Sequence, residues 1–341
     1  MALSEAAAAV LSAQPGAPTP LLDTLTLADV EAGIQLSGAA GWNQTADDWA
    51  IFIGRGQAIG YRAGAEGPLI ATAAALPCGG GAGWISMVLV DPAWRGRGLA
   101  SALLAACVER LRATRLVPCL DATPAGAAVY RRLGFVAGFE IDRWESRPAT
   151  ANGRADERPA RPGGGALRTA GTSERNALRG AGPADRDAFP AAGPADLDTL
   201  RPAGMADLDA LCVLDRAATG LERRFLLKSF LARPDTRAWL SAGDSGFVIA
   251  RDGRRATQIG PLAAATVGEA IGLLGAALAG APGQPGRAVF LDLPRGRPEV
   301  ADWLEAQGLV RQRSFVRMSL GAAEPPRLGA SGVVLAGPEF G

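Results

Sequence analysis

Hydrophobic positions in the first 145 residues follow two periods, one typical of helices and one of strands. Residues 25–41 predict a helix that ends at a glycine, because apolar side chains recur at helical spacing after a polar start, at Leu27, Val30, Ile34 and Leu36. Short apolar runs separated by glycine predict the strands of an antiparallel meander, at residues 49–53, 57–61 and 68–76.

A strand, a glycine-rich loop and an amphipathic helix come next. Residues 84–92 form a β-prone run that ends at a proline. The helix that follows has one apolar face, formed by Leu99, Leu103, Leu104, Cys107, Val108 and Leu111. The pattern then predicts a strand at 116–120, a helix at 125–133 that opens near Pro124, and a strand at 135–144.

Two segments lack large apolar residues and divide the chain. Residues 1–20 predict a mobile leader, and residues 146–195, rich in Arg, Ala, Gly, Pro and Asp, predict a linker that cannot build a core. Patterning then resumes, with helices predicted within 208–218, 222–232, 267–280 and 298–308 and strands within 246–250, 256–262, 288–294 and 315–320. The sequence therefore predicts two α+β domains, at 21–145 and 196–341.

Length and composition agree with this organisation and exclude several classes of protein. A chain of 341 residues suits two domains of ordinary size. The net charge of +1, with Lys228 as the single lysine, argues against a nucleic-acid partner. The four cysteines show no CxxC spacing, which argues against a metal site and a disulfide framework. We see neither a signal peptide nor a membrane span and expect a cytoplasmic protein, monomeric or homodimeric.

The chain contains no histidine. This absence excludes Ser-His and Cys-His nucleophiles and histidine-bound metals at once. Any proton transfer must then use Tyr, Asp, Glu, Cys, water or an amine of the substrate.

The loop before the amphipathic helix has the chemistry of an anion site. Glycines at 96 and 98 let a phosphate approach main-chain amides, and a helix N-terminus offers unpaired amides and a positive dipole end. An ordinary strand-to-helix turn is the simplest alternative. A dinucleotide site is the other, since Gly96-x-Gly98-x-x-Ser101 nearly fits GxGxxG, although the third glycine is absent.

The loop, the preceding V-L-V-D-P and the later VYRRLGF run together resemble the cofactor motifs of the GNAT superfamily of N-acetyltransferases. The resemblance covers roughly residues 25–144. It implies a mixed sheet, flanked by helices and splayed between the strands at 84–92 and 116–120, with acetyl-CoA in the cleft. It also implies that main-chain groups pair with pantetheine at Val88, Leu89 and Val90. The pyrophosphate would bind the amides of Arg95, Gly96, Arg97, Gly98, Leu99 and Ala100.

The resemblance also suggests catalytic roles. Tyr130 occupies the position where many family members have a tyrosine that protonates the leaving thiolate, although a half-buried core tyrosine is the plain alternative. An asparagine that often precedes this tyrosine is absent here, and Thr123 would replace its cofactor contact. The motif does not fix the general base, for which Asp121, Glu140 and ordered water are candidates.

The segments GWNQTADDW, LDATPAG and GPEFG resemble a bacterial subgroup with two tandem GNAT-like domains. In the second domain the counterpart of the anion loop would be residues 259–264, where a proline stands in place of an amide donor. That domain would then shape the acceptor site. The candidate substrate-binding residues are Trp42, Asn43, Gln44, Asp215 and Arg216, with Arg223 and Arg224 nearby. We therefore expect acetyl transfer from acetyl-CoA to a primary amine, with a non-catalytic acyl-CoA sensor as the alternative.

Overall fold

The computed structural model describes residues 18–146, 200–281, 287–322 and 325–341. The first half contains β1 (Pro20–Thr24), α1 (Val30–Ala39), α2 (Ala46–Gly54), β2 (Gln57–Ala63), β3 (Leu69–Gly79), β4 (Ala82–Val90), α3 (Leu99–Ala113), β5 (Val117–Ala122), α4 (Pro124–Arg132) and β6 (Phe135–Ser146). None of the helices in the described ranges is long and apolar enough to cross a membrane.

The second half follows a similar order. It contains β7 (Leu200–Ala203), α5 (Leu208–Thr219), α6 (Arg224–Leu231), β8 (Arg237–Ser241), β9 (Phe247–Arg251), β10 (Thr257–Ala263), α7 (Val267–Ala279), β11 (Val289–Pro294), α8 (Pro298–Ala306), β12 (Leu309–Leu320) and β13 (Gly332–Val334).

The described strands form one continuous mixed sheet in which the two halves exchange strands. Its order is β1-β2-β3-β4-β5-β12-β6-β11-β10-β9-β8-β7, and β13 pairs with β10. Strand β12 of the second half thus lies between β5 and β6 of the first, and β6 lies between β11 and β12. A buried apolar cluster that includes Trp49, Trp84, Phe247 and Phe340 packs across both halves.

The sheet opens between β4 and β5, as the sequence predicts. Parallel pairing of these strands covers only Ala82 to Trp84 on β4. Beyond it, the β3–β4 register shifts, and Met87 takes a left-handed conformation with φ 52°. The Thr72 hydroxyl donates a hydrogen bond of 2.8 Å to the Met87 carbonyl and holds this bulge in place. The mixed, splayed sheet with flanking helices is confirmed.

The predicted strand at 49–53 is wrong, because these residues form α2. Thr45 caps this helix: its hydroxyl accepts from the amide of Asp48, whose carboxylate accepts from the amide of Thr45. Trp49 and Phe52 then share the buried face. The short strands β1, β7, β8 and β13 were not predicted. Strand β12 begins at Leu309 rather than at 315, and α1 begins at Val30 rather than at 25, whereas the other helices and strands are confirmed to within a few residues.

The predicted leader and linker fall almost entirely outside the described residues. Pro20, at the end of the predicted leader, begins β1, and Ser146, at the start of the predicted linker, ends β6. The domain limits 21–145 and 196–341 therefore stay predictions.

Candidate active site

The glycine loop joins β4 to α3. The Asp91 carboxylate accepts from the amide of Ala93 at 2.9 Å and starts a single 3₁₀ turn. Gly96 and Gly98 follow in the left-handed region, with φ 75° and 76°. A side chain at such an angle costs about 1–2 kcal/mol, which accounts for glycine at both positions. Gly98 is the N-cap of α3, so the first amides of this helix have no helical acceptor.

Two arginines bring positive charge to this loop. The Arg97 guanidinium stacks over the Trp94 ring at 4.5 Å and donates to the carbonyl of Ala93 at 3.3 Å. Arg95 donates through Nε to the carbonyl of Val90 at 3.3 Å. The loop therefore combines unpaired amides, a helix N-terminus and two cations, which suits a phosphate group.

The upper part of β4 presents an open edge beside this loop. On one side, Leu89 and Val90 pair with β3. On the other side, no strand in the described ranges pairs with Val88, Leu89 or Val90, because β5 has already diverged. The predicted cofactor residues of β4 and the loop line one groove together with Trp42. Thr123 lines a neighbouring cavity instead, and its hydroxyl caps α4 by accepting from the amide of Gly126 at 3.2 Å.

A cavity lies beside the groove where the sheet opens, and Trp42 and Val88 line both. Its walls come from the two halves of the chain. The first half contributes Gln44, Ser86, Asp121 and Tyr130, and the second contributes Arg313, Phe315 and Glu339.

Tyr130 lies in the last turn of α4 with its side chain half-buried at this cavity. Its ring packs at an angle on Phe135, with 5.8 Å between centroids. Burial raises the pKa of the Tyr130 phenol. The hydroxyl therefore stays protonated at neutral pH, as a proton donor must.

Asp121 is engaged in a buried ion pair. Its two oxygens accept from Nε and Nη2 of Arg317, each at 2.9 Å, and the two side chains are 0% and 2% exposed. Burial raises the pKa of the Asp121 carboxyl, and the charge of Arg317 opposes this rise. Because both oxygens are occupied, Asp121 ties β5 to β12 and is poorly placed to take a proton from a substrate.

Glu140 and two of the predicted substrate residues lie away from the cavity. Glu140 contacts the guanidinium of Arg295 and is about half-exposed. Asp215, on α5, pairs with the buried Arg223, which precedes α6, through contacts of 2.5 Å and 3.0 Å. Arg216 is an exposed partner of Glu222. Asp215 thus forms a buried ion pair, and Glu140 and Arg216 face solvent.

The predicted segment 42–44 does reach the cavity. The Asn43 side chain joins the halves: its Oδ1 accepts from the amides of Arg255 and Ala256 at 2.9 Å and 3.0 Å, and its Nδ2 donates to the carbonyl of Ala256 at 3.0 Å. Gln44 is also buried, but its Oε1 has no hydrogen-bond partner. Of the three residues, Gln44 therefore has a buried acceptor without a partner, whereas Asn43 holds the two halves together.

Glu339 is a cavity residue that the sequence did not indicate as functional. It lies in the closing GPEFG segment, is 7% exposed, and its Oε2 has no hydrogen-bond partner. Its nearest cation is Arg251, at 3.7 Å. Burial raises the pKa of the Glu339 carboxyl against the attraction of Arg251. The only sequence feature that points to Glu339 is its position as the acidic residue of an otherwise apolar closing segment, GPEFG.

Two family models, each described as an acetyltransferase (GNAT) domain, match the chain at residues 56–137 and 211–329. The chain belongs to the GNAT superfamily. Its two GNAT domains stand in tandem and contribute strands to one sheet. No curated protein matches the chain.

Solved structures share this tandem GNAT fold. A candidate acetyltransferase from Pyrococcus horikoshii aligns with a TM-score of 0.66 at 15% identity, over 94% of this chain and 95% of its own. A tandem GNAT protein from the clavulanic acid biosynthesis pathway aligns with a TM-score of 0.53 at 15% identity, over 89% of this chain and 100% of its own. A GCN5-related N-acetyltransferase from Sphaerobacter thermophilus aligns with a TM-score of 0.53 at 15% identity, over 88% of this chain and 95% of its own. At such identities the likeness shows the fold.

The strand-to-helix connection before α7, in the described part of the second GNAT domain, differs from the glycine loop of the first. The predicted counterpart at 259–264 is wrong, because Ile259 to Ala263 belong to the buried strand β10. The loop before α7 holds that position instead. There, Thr266 caps the helix by accepting from the amide of Glu269 at 3.2 Å, and the Glu269 carboxylate accepts from the amide of Ala265 at 2.6 Å. A resident carboxylate thus occupies the anion position of this GNAT domain.

Proposed function

We propose that this GNAT protein transfers the acetyl group of acetyl-CoA to a primary amine by direct attack within a ternary complex. The observation that carries the proposal is that the loop groove adjoins the cavity at Tyr130, beside the open edge of β4. A long ligand lying in the groove would present its far end to a protonated phenol.

The groups in the groove suit coenzyme A. The left-handed glycines leave the first amides of α3 uncovered for a pyrophosphate, and an added Cβ at Gly96 would meet no atom within 4 Å, so the approach is clear. Main-chain groups of Val88, Leu89 and Val90 would pair with the amides of pantetheine. Acetyl-CoA supplies a thioester whose carbonyl carbon is the electrophile.

The protein's own contribution is positioning and proton transfer. The amine nitrogen forms a bond to the carbonyl carbon, the carbon–sulfur bond breaks, and the Tyr130 hydroxyl donates a proton to the departing thiolate. The chain has no histidine, so the proton of the amine must leave through a carboxylate or water. Asp121 is engaged with Arg317 and Glu140 lies outside the cavity, so we assign neither as the base.

The test combines binding and turnover. Isothermal titration with acetyl-CoA is expected to show one site per chain, and release of free thiol is expected with at least one member of an amine panel. Binding without thiol release from any amine would favour an acyl-CoA sensor instead. Absence of acetyl-CoA binding would refute both functions.

A further inference from the structure

Three buried polar atoms at the cavity lack hydrogen-bond partners. They are Oε1 of Gln44, Oγ of Ser86 and Oε2 of Glu339, and the three residues are 6%, 8% and 7% exposed. All three side chains line the same cavity. Each atom can accept a hydrogen bond, and buried acceptors in folded proteins are seldom left unpaired. A ligand with several N–H donors would satisfy them.

The charges at the cavity are only partly balanced within the protein. Arg143 is bound by Asp292 through two contacts of 2.8 Å, and Asp121 is bound by Arg317. Arg313 is different, since it donates to the Gln312 side chain at 3.2 Å, and no described carboxylate lies within 4.0 Å of its guanidinium. The cavity thus has a cation without a close carboxylate partner at Arg313, where Asp292 and Glu145 act only from a distance, and a buried acid at Glu339.

Glu339 is more than the counter-ion of Arg251. The Arg251 guanidinium already donates to the carbonyls of Gly260 and Ala336, at 3.0 Å and 2.7 Å, and its separation from Glu339 is 3.7 Å. That separation is too long for a hydrogen bond. The other carboxylate oxygen, Oε2, has no hydrogen-bond partner in this cavity-lining residue.

We propose that the acceptor is a small amino acid-like molecule, whose amino group is held by Gln44, Ser86 and Glu339 and whose carboxylate is bound by Arg313. A primary ammonium offers three donors to the three unpaired acceptors. A single guanidinium balances one negative charge, and its planar fork matches a carboxylate. This inference rests on the proposed acetyl transfer.

Glu339 then has a defined part in the reaction. The acceptor enters as an ammonium ion and gives one proton to Glu339, which leaves a nitrogen lone pair free to attack the thioester carbonyl. The nitrogen loses its second proton to water as the amide forms, while Tyr130 protonates the thiolate and regains a proton from water. Glu339 then gives its proton to solvent. The products are the N-acetylated amino acid, free coenzyme A and one proton released to solvent.

The direct test is acceptor binding measured independently of turnover. The protein saturated with coenzyme A is titrated calorimetrically with each common α-amino acid, with β-alanine, and with the amide of each. At least one acid is expected to bind about tenfold or more tightly than its amide, because the amide lacks the charge that Arg313 recognises. Equal binding of acids and amides, or no binding by any member of the panel, would overturn the proposal.

Two arginine variants test whether Arg313 recognises the carboxylate of the acceptor. Arg313→Gln is expected to weaken binding of the preferred acid about tenfold, to leave its amide unaffected, and to preserve the affinity for coenzyme A. Arg311→Gln, an exposed arginine on the same strand, is the matched control and should change none of the three. An equal loss for acid and amide in Arg313→Gln would contradict carboxylate recognition.

Thiol release measured in parallel separates the two proposals. Acetylation of amines with no preference for a carboxylate would keep the transferase function and overturn this inference. Binding of amino acids without thiol release would keep the acceptor site and refute acetyl transfer.

Discussion

Replacement of Gly96 by glutamate tests the anion loop most directly. Gly96 has φ 75°, and an added Cβ meets no atom within 4 Å, so the change introduces backbone strain of about 1–2 kcal/mol without a steric clash. The new carboxylate would face the pyrophosphate. Two unit charges about 5 Å apart repel by about 3 kcal/mol at an effective dielectric constant of 20 and about 1 kcal/mol in bulk water. We therefore expect acetyl-CoA to bind about 10- to 100-fold more weakly.

The matched control is Gly243→Glu. Gly243 also has φ 75° and open space around a Cβ, and it lies in a loop of the second half. Both variants should lose a similar few degrees in Tm, but only Gly96→Glu should raise the Kd for acetyl-CoA in isothermal titration, and more strongly at low salt. An unchanged Kd in Gly96→Glu, or an equal rise in both variants, would refute the assignment of the loop.

Three further variants test the cavity. Tyr130→Phe should lower kcat about 10²- to 10⁴-fold in a thiol-release assay, with the Kd for acetyl-CoA within about twofold of the wild type; an unaltered kcat would return Tyr130 to a packing role. Asp121→Asn should lower the free energy of unfolding, measured in urea, by about 3–5 kcal/mol, because it leaves the Arg317 charge buried without its partner. Glu222→Gln, at an exposed ion pair, should lower it by less than about 0.5 kcal/mol. A base works when deprotonated, and burial raises the pKa of Glu339. We therefore expect kcat/KM to fall as the pH drops through a range above the usual glutamate pKa of about 4.3, and Glu339→Gln to remove that fall. A Glu339→Gln variant that keeps the fall would exclude Glu339 as the base.

The groove beside the glycine loop could be predicted from the sequence because it is built locally. The strand, the glycine loop and the helix that form it are consecutive, and left-handed positions at Gly96 and Gly98 have a direct residue signature. The same holds for most helices and strands. The predicted strand at 49–53 failed because a short apolar run fits either period, and only the cap at Thr45 and Asp48 distinguishes the helix.

The polar contacts around the cavity could not be predicted because the residues that make them meet only in the folded sheet. Asp121 looked like a free acid near a catalytic tyrosine, yet its partner Arg317 is 196 positions away. Asp215 looked like a polar candidate on an early helix, yet it is buried against Arg223. The spacing of residues along one chain does not reveal such pairings, because register and strand order decide them.

The exchange of strands explains how a GNAT domain without an anion loop can still contribute to a site. Because β12 lies between β5 and β6, Arg313 and Phe315 reach the cavity opened by β4 and β5 of the first domain. The closing segment brings Glu339 to the same cavity, where the Pro338 carbonyl accepts from Trp84 Nε1 at 3.2 Å and the Phe340 ring stacks on Phe52 with centroids 5.0 Å apart. On the proposed function, the first domain would hold the acyl donor and the second would recognise the acceptor. A second anion loop would then be unnecessary, and Glu269 could close that position without loss of function.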